Sequence, residues 1–194
     1  MVRMKRTMQH LSYGIERPCD LLKKLEWEAD KLRNKPHAYD VFNFMLTAAV
    51  LAEWIQKFYS SDSVPDPFAE PKKGQCNWLI PSKAVHWIND TSCLPNPYLD
   101  VRYHIENALS ICSHTANASK HFHWKDGRSI TRIEEEPQIG DYYQYFFTST
   151  APDLYLEFEG DYYGLQQIKG ILLQFYTGLI HYLENKESSS GAVS

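Results

Sequence analysis

One short stretch of the sequence concentrates side chains that could move protons. Residues 111–124 read ICSHTANASKHFHW and contain His114, His121 and His123, beside Asn117 and Lys120. Histidine changes its charge close to neutral pH, so it can act as a general acid or base. Cleavage of RNA without a metal requires a base, an acid and a cation at the phosphate, and these residue types could supply all three.

On a helix, this stretch separates into two faces of different chemistry. At 100° per residue, one face of residues 101–121 carries small and apolar side chains, namely Val101, Ile105, Ala108, Leu109, Cys112, Ala116 and Ser119. The opposite face carries Tyr103, Ser110, His114, Asn117 and His121, with the last three in one row. We therefore expect the two faces to meet two different neighbours.

The predicted catalytic set combines this row with a carboxylate from another helix. Within it, His114 and His121 share proton transfer and Lys120 supplies positive charge. The dipole at a helix C-terminus favours protonated imidazole, which is expected to make His121 a better acid than a lone histidine. Glu53, a charge on an otherwise apolar helix, is expected to pair with Lys120 or His121, or else to reach solvent. The set is His121, His114, Asn117, Lys120 and Glu53, and the competing interpretation is that the row only hydrogen-bonds its neighbours.

The histidine spacing argues against a metal site. His114 and His121 are seven residues apart, which is about 10 Å along a helix and too far for one ion. His121 and His123 could form a ligand pair only with a third ligand from elsewhere. The four cysteines contain no Cys-x-x-Cys pair, so neither a zinc ribbon nor a redox motif is indicated. We predict no metal and no cofactor.

Apolar periodicity predicts that helices carry most of the structure. The first helix is expected from about 18 to 34, with Lys24, Glu28 and Lys31 on its solvent side. The run from Ala38 to Tyr59 is apolar on nearly all sides, which is typical of a helix in the middle of a bundle.

The second half of the bundle follows an irregular connection. Six of the ten prolines lie between Ser60 and Tyr98, which predicts a loop with one short helix near Ser82 to Asn89. A third helix is expected from Tyr98 to about His121, and a last helix is expected to be capped by Asp161.

Between these helices the periodicity changes to that of strands. Leu154, Leu156 and Phe158 alternate with polar residues, as in a half-buried strand. The predicted fold is mainly α: a helical bundle of four to five helices with a three- to four-stranded antiparallel β-meander, at about 122–160, inserted before the last helix. One domain is expected over 1–187, with a disordered tail at 188–194. A weaker alternative for function is a ligand pocket between meander and bundle, lined by Tyr142, Tyr145 and Tyr155.

Composition narrows the class of partner and the location. The net charge of −4 provides no general attraction for nucleic acid, so any RNA contact would be local. No apolar stretch of the kind a secretory signal needs follows the first basic residues. The apolar run at 168–180 is shorter than the roughly 20 residues that span a bilayer. We expect a cytoplasmic protein without membrane contact.

Residues 116–121, Ala-Asn-Ala-Ser-Lys-His, resemble a degenerate form of the motif of HEPN-type helical bundles. In that family an arginine, a polar residue and a histidine lie on a helix near the end of the bundle, in a cleft between two subunits. The resemblance implies that Asn117 and His121 match the polar residue and the histidine, whereas Ala116 stands where the arginine would be. Catalytic members cut RNA with the arginine steadying the phosphate, so its absence favours binding over cleavage.

The same stretch is similar to an ANxSKHF-type segment of bacterial proteins linked to mobile or defence-related gene sets. The expected function is that of a HEPN-like bacterial or phage protein acting mainly through protein interaction, in defence or toxin–antitoxin systems. Its expected partner is a second copy in a homodimer, or another protein. The alternative is a metal-independent ribonuclease that uses His121 as acid and base across a dimer cleft, with RNA as its partner.

Overall fold

Helices form most of the described part of the protein, as the periodicity predicts. The computed structural model describes residues 14–33, 36–59, 80, 82–95, 100–120, 130–134, 154–158 and 161–190. Within these ranges lie four α-helices: α1 (Pro18–Lys31), α2 (Ala38–Tyr59), α3 (Val101–Lys120) and α4 (Leu165–Ser190). Two short 3-10 helices, Ser82–His86 and Thr91–Cys93, separate α2 from α3. The prediction of a mainly helical protein is confirmed.

Three short strands precede α4. They are β1 (Ile130–Glu134), β2 (Tyr155–Phe158) and β3 (Asp161–Gly164), paired antiparallel in the order β1-β2-β3. The predicted strand at 154–158 is confirmed, since Leu156 and Phe158 of β2 are buried. The extent of the predicted meander stays a prediction, because residues 121–129 and 135–153 lie outside the described part of the chain.

The start of α4 differs from the prediction. Asp161 does not cap this helix, because it belongs to β3 and pairs with Phe158. The chain stays extended until Gly164, whose backbone N–H donates to the Gln167 side chain at 2.9 Å. A glutamine bonded back across the first turn is half of a capping box, so it replaces the aspartate. At its other end α4 runs to Ser190 and so includes 188–190, which the sequence assigned to the tail.

The apolar stripe of α4 forms the centre of the core. Five side chains at helical spacing make up this stripe, and all are fully buried: Leu165, Ile168, Leu172, Phe175 and Leu179. The hydroxyl of Tyr176 donates to the backbone oxygen of Ala48 at 2.7 Å, which ties α4 to α2. Burial, together with the nearby Cys112 thiol, raises the pKa of Tyr176 well above its ordinary value, so this hydroxyl is a structural donor.

Two glycines of α4 let the irregular segment before α3 approach the helix closely. A Cβ atom at Gly170 would stand 2.7 Å from Cys93 Cβ, and one at Gly178 would stand 2.4 Å from Trp87 Cγ. Between them, the Gln174 side chain accepts a hydrogen bond from the backbone N–H of Asp90 at 2.8 Å. The two glycines therefore leave the space that Cys93 and Trp87 occupy against α4.

Candidate functional site

The apolar face of α3 packs as its sequence predicts. Ile105, Ala108 and Cys112 are fully buried, and Ala116 is buried near the end of the helix. The Cys112 sulfur lies 3.3 Å from the sulfur of Met45 in α2. Complete burial raises the pKa of the Cys112 thiol well above its ordinary value. This cysteine is a packing residue and not a nucleophile.

The polar face of α3 meets the sheet. The ring of His114 stands edge-on to Phe158 of β2, with 5.5 Å between the ring centroids. Two turns earlier on the same side, the Asn107 side chain donates a hydrogen bond to the hydroxyl of Tyr163 in β3. His114 is half-buried, whereas Asn117, one turn further on, is exposed. Asn107 and His114 both contact the sheet. For His114, this contact favours the interpretation that the side chain packs against its neighbours and does not take part in catalysis.

The other predicted catalytic residues are only partly placed. Lys120 is the last residue of α3, but its side chain and the whole of His121 lie outside the described residues, so their proximity to His114 stays a prediction. His123, Tyr142 and Tyr145 also lie outside the described residues. Glu53 lies on the exposed side of α2, where its carboxylate is 3.6 Å from the Lys57 ammonium. Its contact with solvent is the second of the two outcomes expected from the sequence.

Among the side chains that the structure describes, no group of three or more His, Cys, Asp or Glu residues could hold a metal ion.

A buried polar cluster between α1 and α2 was missed by the sequence reasoning. Glu28 was assigned to the solvent side of α1, but it is only 4% exposed. One of its oxygens lies 2.5 Å from the Lys24 ammonium, which also donates to the Thr47 hydroxyl at 2.6 Å. Within the described part of the chain, the second Glu28 oxygen is buried and has no hydrogen-bond partner. A salt bridge between a partly exposed lysine and a buried glutamate thus lies at the contact of α1 with α2.

Among the described residues, α2 lies between other helices, as predicted, but only one side of it is fully buried. One half of this helix packs on α1, α3 and α4, whereas the other half is exposed or partly exposed. We call this second half the outward face, and it consists of Tyr39, Phe42, Asn43, Leu46, Ala49, Val50, Glu53, Trp54 and Lys57. Six of these nine side chains are apolar, and Tyr39 is 73% exposed. The signal in the sequence was the apolar character of α2 all around its axis, which requires a second neighbour.

The length of α2 also permits a comparison with membrane helices. Of the helices described, α2 is the one long and apolar enough to span a bilayer, and 44% of its most apolar window is buried in the fold. The core helix of a soluble protein passes the same test.

No protein-family model matches this chain, and neither the curated proteins nor the solved structures include a significantly similar one.

Proposed function

We propose that this protein acts through contact with another protein chain, and that the outward face of α2 is the contact surface. The observation that carries the proposal is the set of apolar side chains on that face, of which Tyr39 and Phe42 are exposed, Leu46 is half-buried, and Ala49, Val50 and Trp54 are partly buried against the core. Large apolar patches edged by polar groups mark interaction sites, because their exposure to water is unfavourable. Here Asn43, Glu53 and Lys57 provide the polar edge.

The composition of the face fits this role. Aromatic residues are enriched at protein interfaces, where they combine large contact areas with few rotatable bonds. The outward face contains Tyr39, Phe42 and Trp54 in four turns of helix. A place among HEPN-like proteins of bacterial or phage defence and a cytoplasmic location belong to the same proposal, and they rest on the resemblance at 116–121 and on composition.

A photo-crosslinking probe can test the surface without knowledge of the partner. With benzoylphenylalanine in place of Val50 in the protein's own host cells, we expect a light-dependent adduct of one discrete mass. The same probe at Glu26, exposed on α1, is the matched control and should give none. Adding Leu46→Glu should abolish the adduct. Folded protein that gives no adduct from probes at Val50 and at Phe42 would exclude this surface.

A metal-independent ribonuclease is the second candidate. It is favoured by the exposed amide of Asn117 one turn from His114, at the end of α3 where the motif resemblance lies. In this proposal His121 and His114 transfer protons and Lys120 stabilises phosphate charge. RNA is then the partner of a homodimer cleft.

This candidate predicts cleavage of end-labelled tRNA or mRNA in EDTA by the wild-type protein. His121→Ala should lower the rate about 10²–10⁴-fold, the usual contribution of a general acid or base. His10→Ala, a histidine far from the motif in the sequence, is the control and should leave the rate unchanged. Folded wild-type protein that does not cut either RNA would remove this candidate for those substrates.

A further inference from the structure

We infer that the outward face of α2 binds the same face of a second copy, with the two α2 helices antiparallel across a two-fold axis near Ala49. This inference rests on the proposed function, because it names the partner of the same surface. In a two-fold dimer one surface must be complementary to itself.

The distribution of charge selects the antiparallel arrangement. The charged residues of the outward face, Glu53 and Lys57, both lie in its C-terminal part, whereas Tyr39 and Asn43 lie near its start. A parallel pair would set each charge against its own copy, and facing like charges are unfavourable at an interface. The antiparallel pair instead brings each Lys57 ammonium to the Tyr39 ring of the second copy, where cation and π-system attract.

The spacing along the helix supports the same axis. Tyr39 and Lys57 are centred on position 48, and so are Leu46 and Val50, which form the middle of the outward face. An axis that sets the first pair opposite each other therefore also sets Leu46 against Val50 of the second copy. Ala49 is the smallest side chain of the face and lies beside this axis, so the two helices can approach closely.

One flank of the contact has its own complementarity. The same axis brings Asn43 close to Trp54 of the second copy. The indole of Trp54 can only donate a hydrogen bond, and the Asn43 amide oxygen can accept it. This arrangement thus pairs Leu46 with Val50 at the centre of the outward face, Asn43 with Trp54 on one flank, and Tyr39 with Lys57 at its ends.

Engineered cysteines test the register in chains that carry Cys19→Ser and Cys76→Ser. A mixture of Tyr39→Cys chains with Lys57→Cys chains should form a disulfide-linked dimer under mild oxidation. Neither variant alone should do so, because identical positions would stand about 27 Å apart along antiparallel helices. Cross-linking of Tyr39→Cys chains alone, or no cross-linking of the mixture, would overturn the antiparallel arrangement.

Light scattering tests the dimer itself. Wild-type protein should have twice the 22.6 kDa mass of one chain at micromolar concentration. Leu46→Glu should raise the dissociation constant about a hundredfold or more, since two carboxylates enter the seam. Lys23→Glu on the exposed side of α1 is the control and should leave the mass unchanged.

The outcomes separate this inference from the proposed function. A monomeric wild-type protein whose Val50 probe still links to a different protein in cells overturns the homodimer and leaves the interaction surface in place. A monomer with no adduct at all overturns both. A dimer that persists in Leu46→Glu with unchanged affinity, in protein of native helix content, also overturns the assigned surface.

Discussion

Lys24→Met is expected to destabilise the protein by about 2–4 kcal/mol, because it leaves the carboxylate of Glu28 buried without its cation. Breaking a fully buried ion pair typically costs about 3–5 kcal/mol. The Lys24 side chain is 39% exposed, so the expected cost is about 1 kcal/mol below that range. Urea unfolding followed by circular dichroism at 25 °C measures the change as a shift of the midpoint at constant slope.

The partner substitution should behave differently. Glu28→Met removes the buried charge and leaves a lysine that can turn toward solvent, so its cost should be smaller than that of Lys24→Met. In the double variant, Lys24→Met with Glu28→Met, most of the lost stability should return, because well-packed apolar side chains replace buried ion pairs without loss. Equal costs for the two single variants that simply add would contradict a coupled buried pair.

Lys23→Met provides the matched control on the neighbouring position of α1. The Lys23 side chain is 75% exposed, and its ion pair with Asp20 at 3.5 Å lies at the surface. Exposed pairs of this kind contribute about 0–1 kcal/mol. The control should therefore remain within about 0.5 kcal/mol of wild type, the usual range for surface substitutions.

The helices could be predicted from sequence because apolar periodicity is a local property. The predicted bounds of α2 match those observed, and the third helix was placed three residues too early. The observed start of α3 is marked by an N-cap residue. The Asp100 side chain accepts a hydrogen bond from the backbone N–H of Arg102 at 3.0 Å. Element ends depend on such single hydrogen bonds, which a periodicity alone does not contain.

Burial at the flanks of a helix could not be predicted in the same way. Glu28 lies about 60° from the centre of the apolar stripe of α1, so whether it is covered depends on how wide the contact with α2 is. On the other helix Thr47 lies at this contact, and its hydroxyl accepts a hydrogen bond from Lys24 at 2.6 Å. In α2 the reverse occurs, because apolar residues on all sides leave open which half the other helices cover.

The candidate site shows the same division between local and distant information. The two faces of α3 follow from its sequence, and its apolar face is buried as predicted. The contact of His114 with Phe158 joins residues 44 positions apart, and it depends on how the sheet returns to the helix. The spacing of residues within 111–124 does not indicate how the sheet packs against α3.

Gly178→Ala is expected to destabilise the protein by about 2–4 kcal/mol, although alanine favours a helix by about 1 kcal/mol over glycine. The new methyl group would stand 2.4 Å from Cγ and 2.7 Å from Cβ of Trp87, and the second of these atoms is fixed to the backbone. The indole must then leave its place beside Phe175 and Tyr182, which lie about 6 Å away. Thermal unfolding should show a lower midpoint, by about 2–4 °C for each kcal/mol in a chain of this size.

A change in the sign of the stability effect of Gly178→Ala would identify the Trp87 side chain as the cause of the destabilisation. In a Trp87→Gly background, Gly178→Ala should stabilise the helix by up to about 1 kcal/mol, because both the Cγ and the Cβ atom that the methyl group would meet are then absent. Thr177→Ala, at the exposed neighbouring position of α4, should be close to neutral in both backgrounds. If Gly178→Ala destabilises the protein equally with and without Trp87, the close approach of the 82–95 segment to α4 is not what requires glycine. If the sign changes, position 178 is glycine because only a side chain without a Cβ atom leaves room for Trp87 on α4.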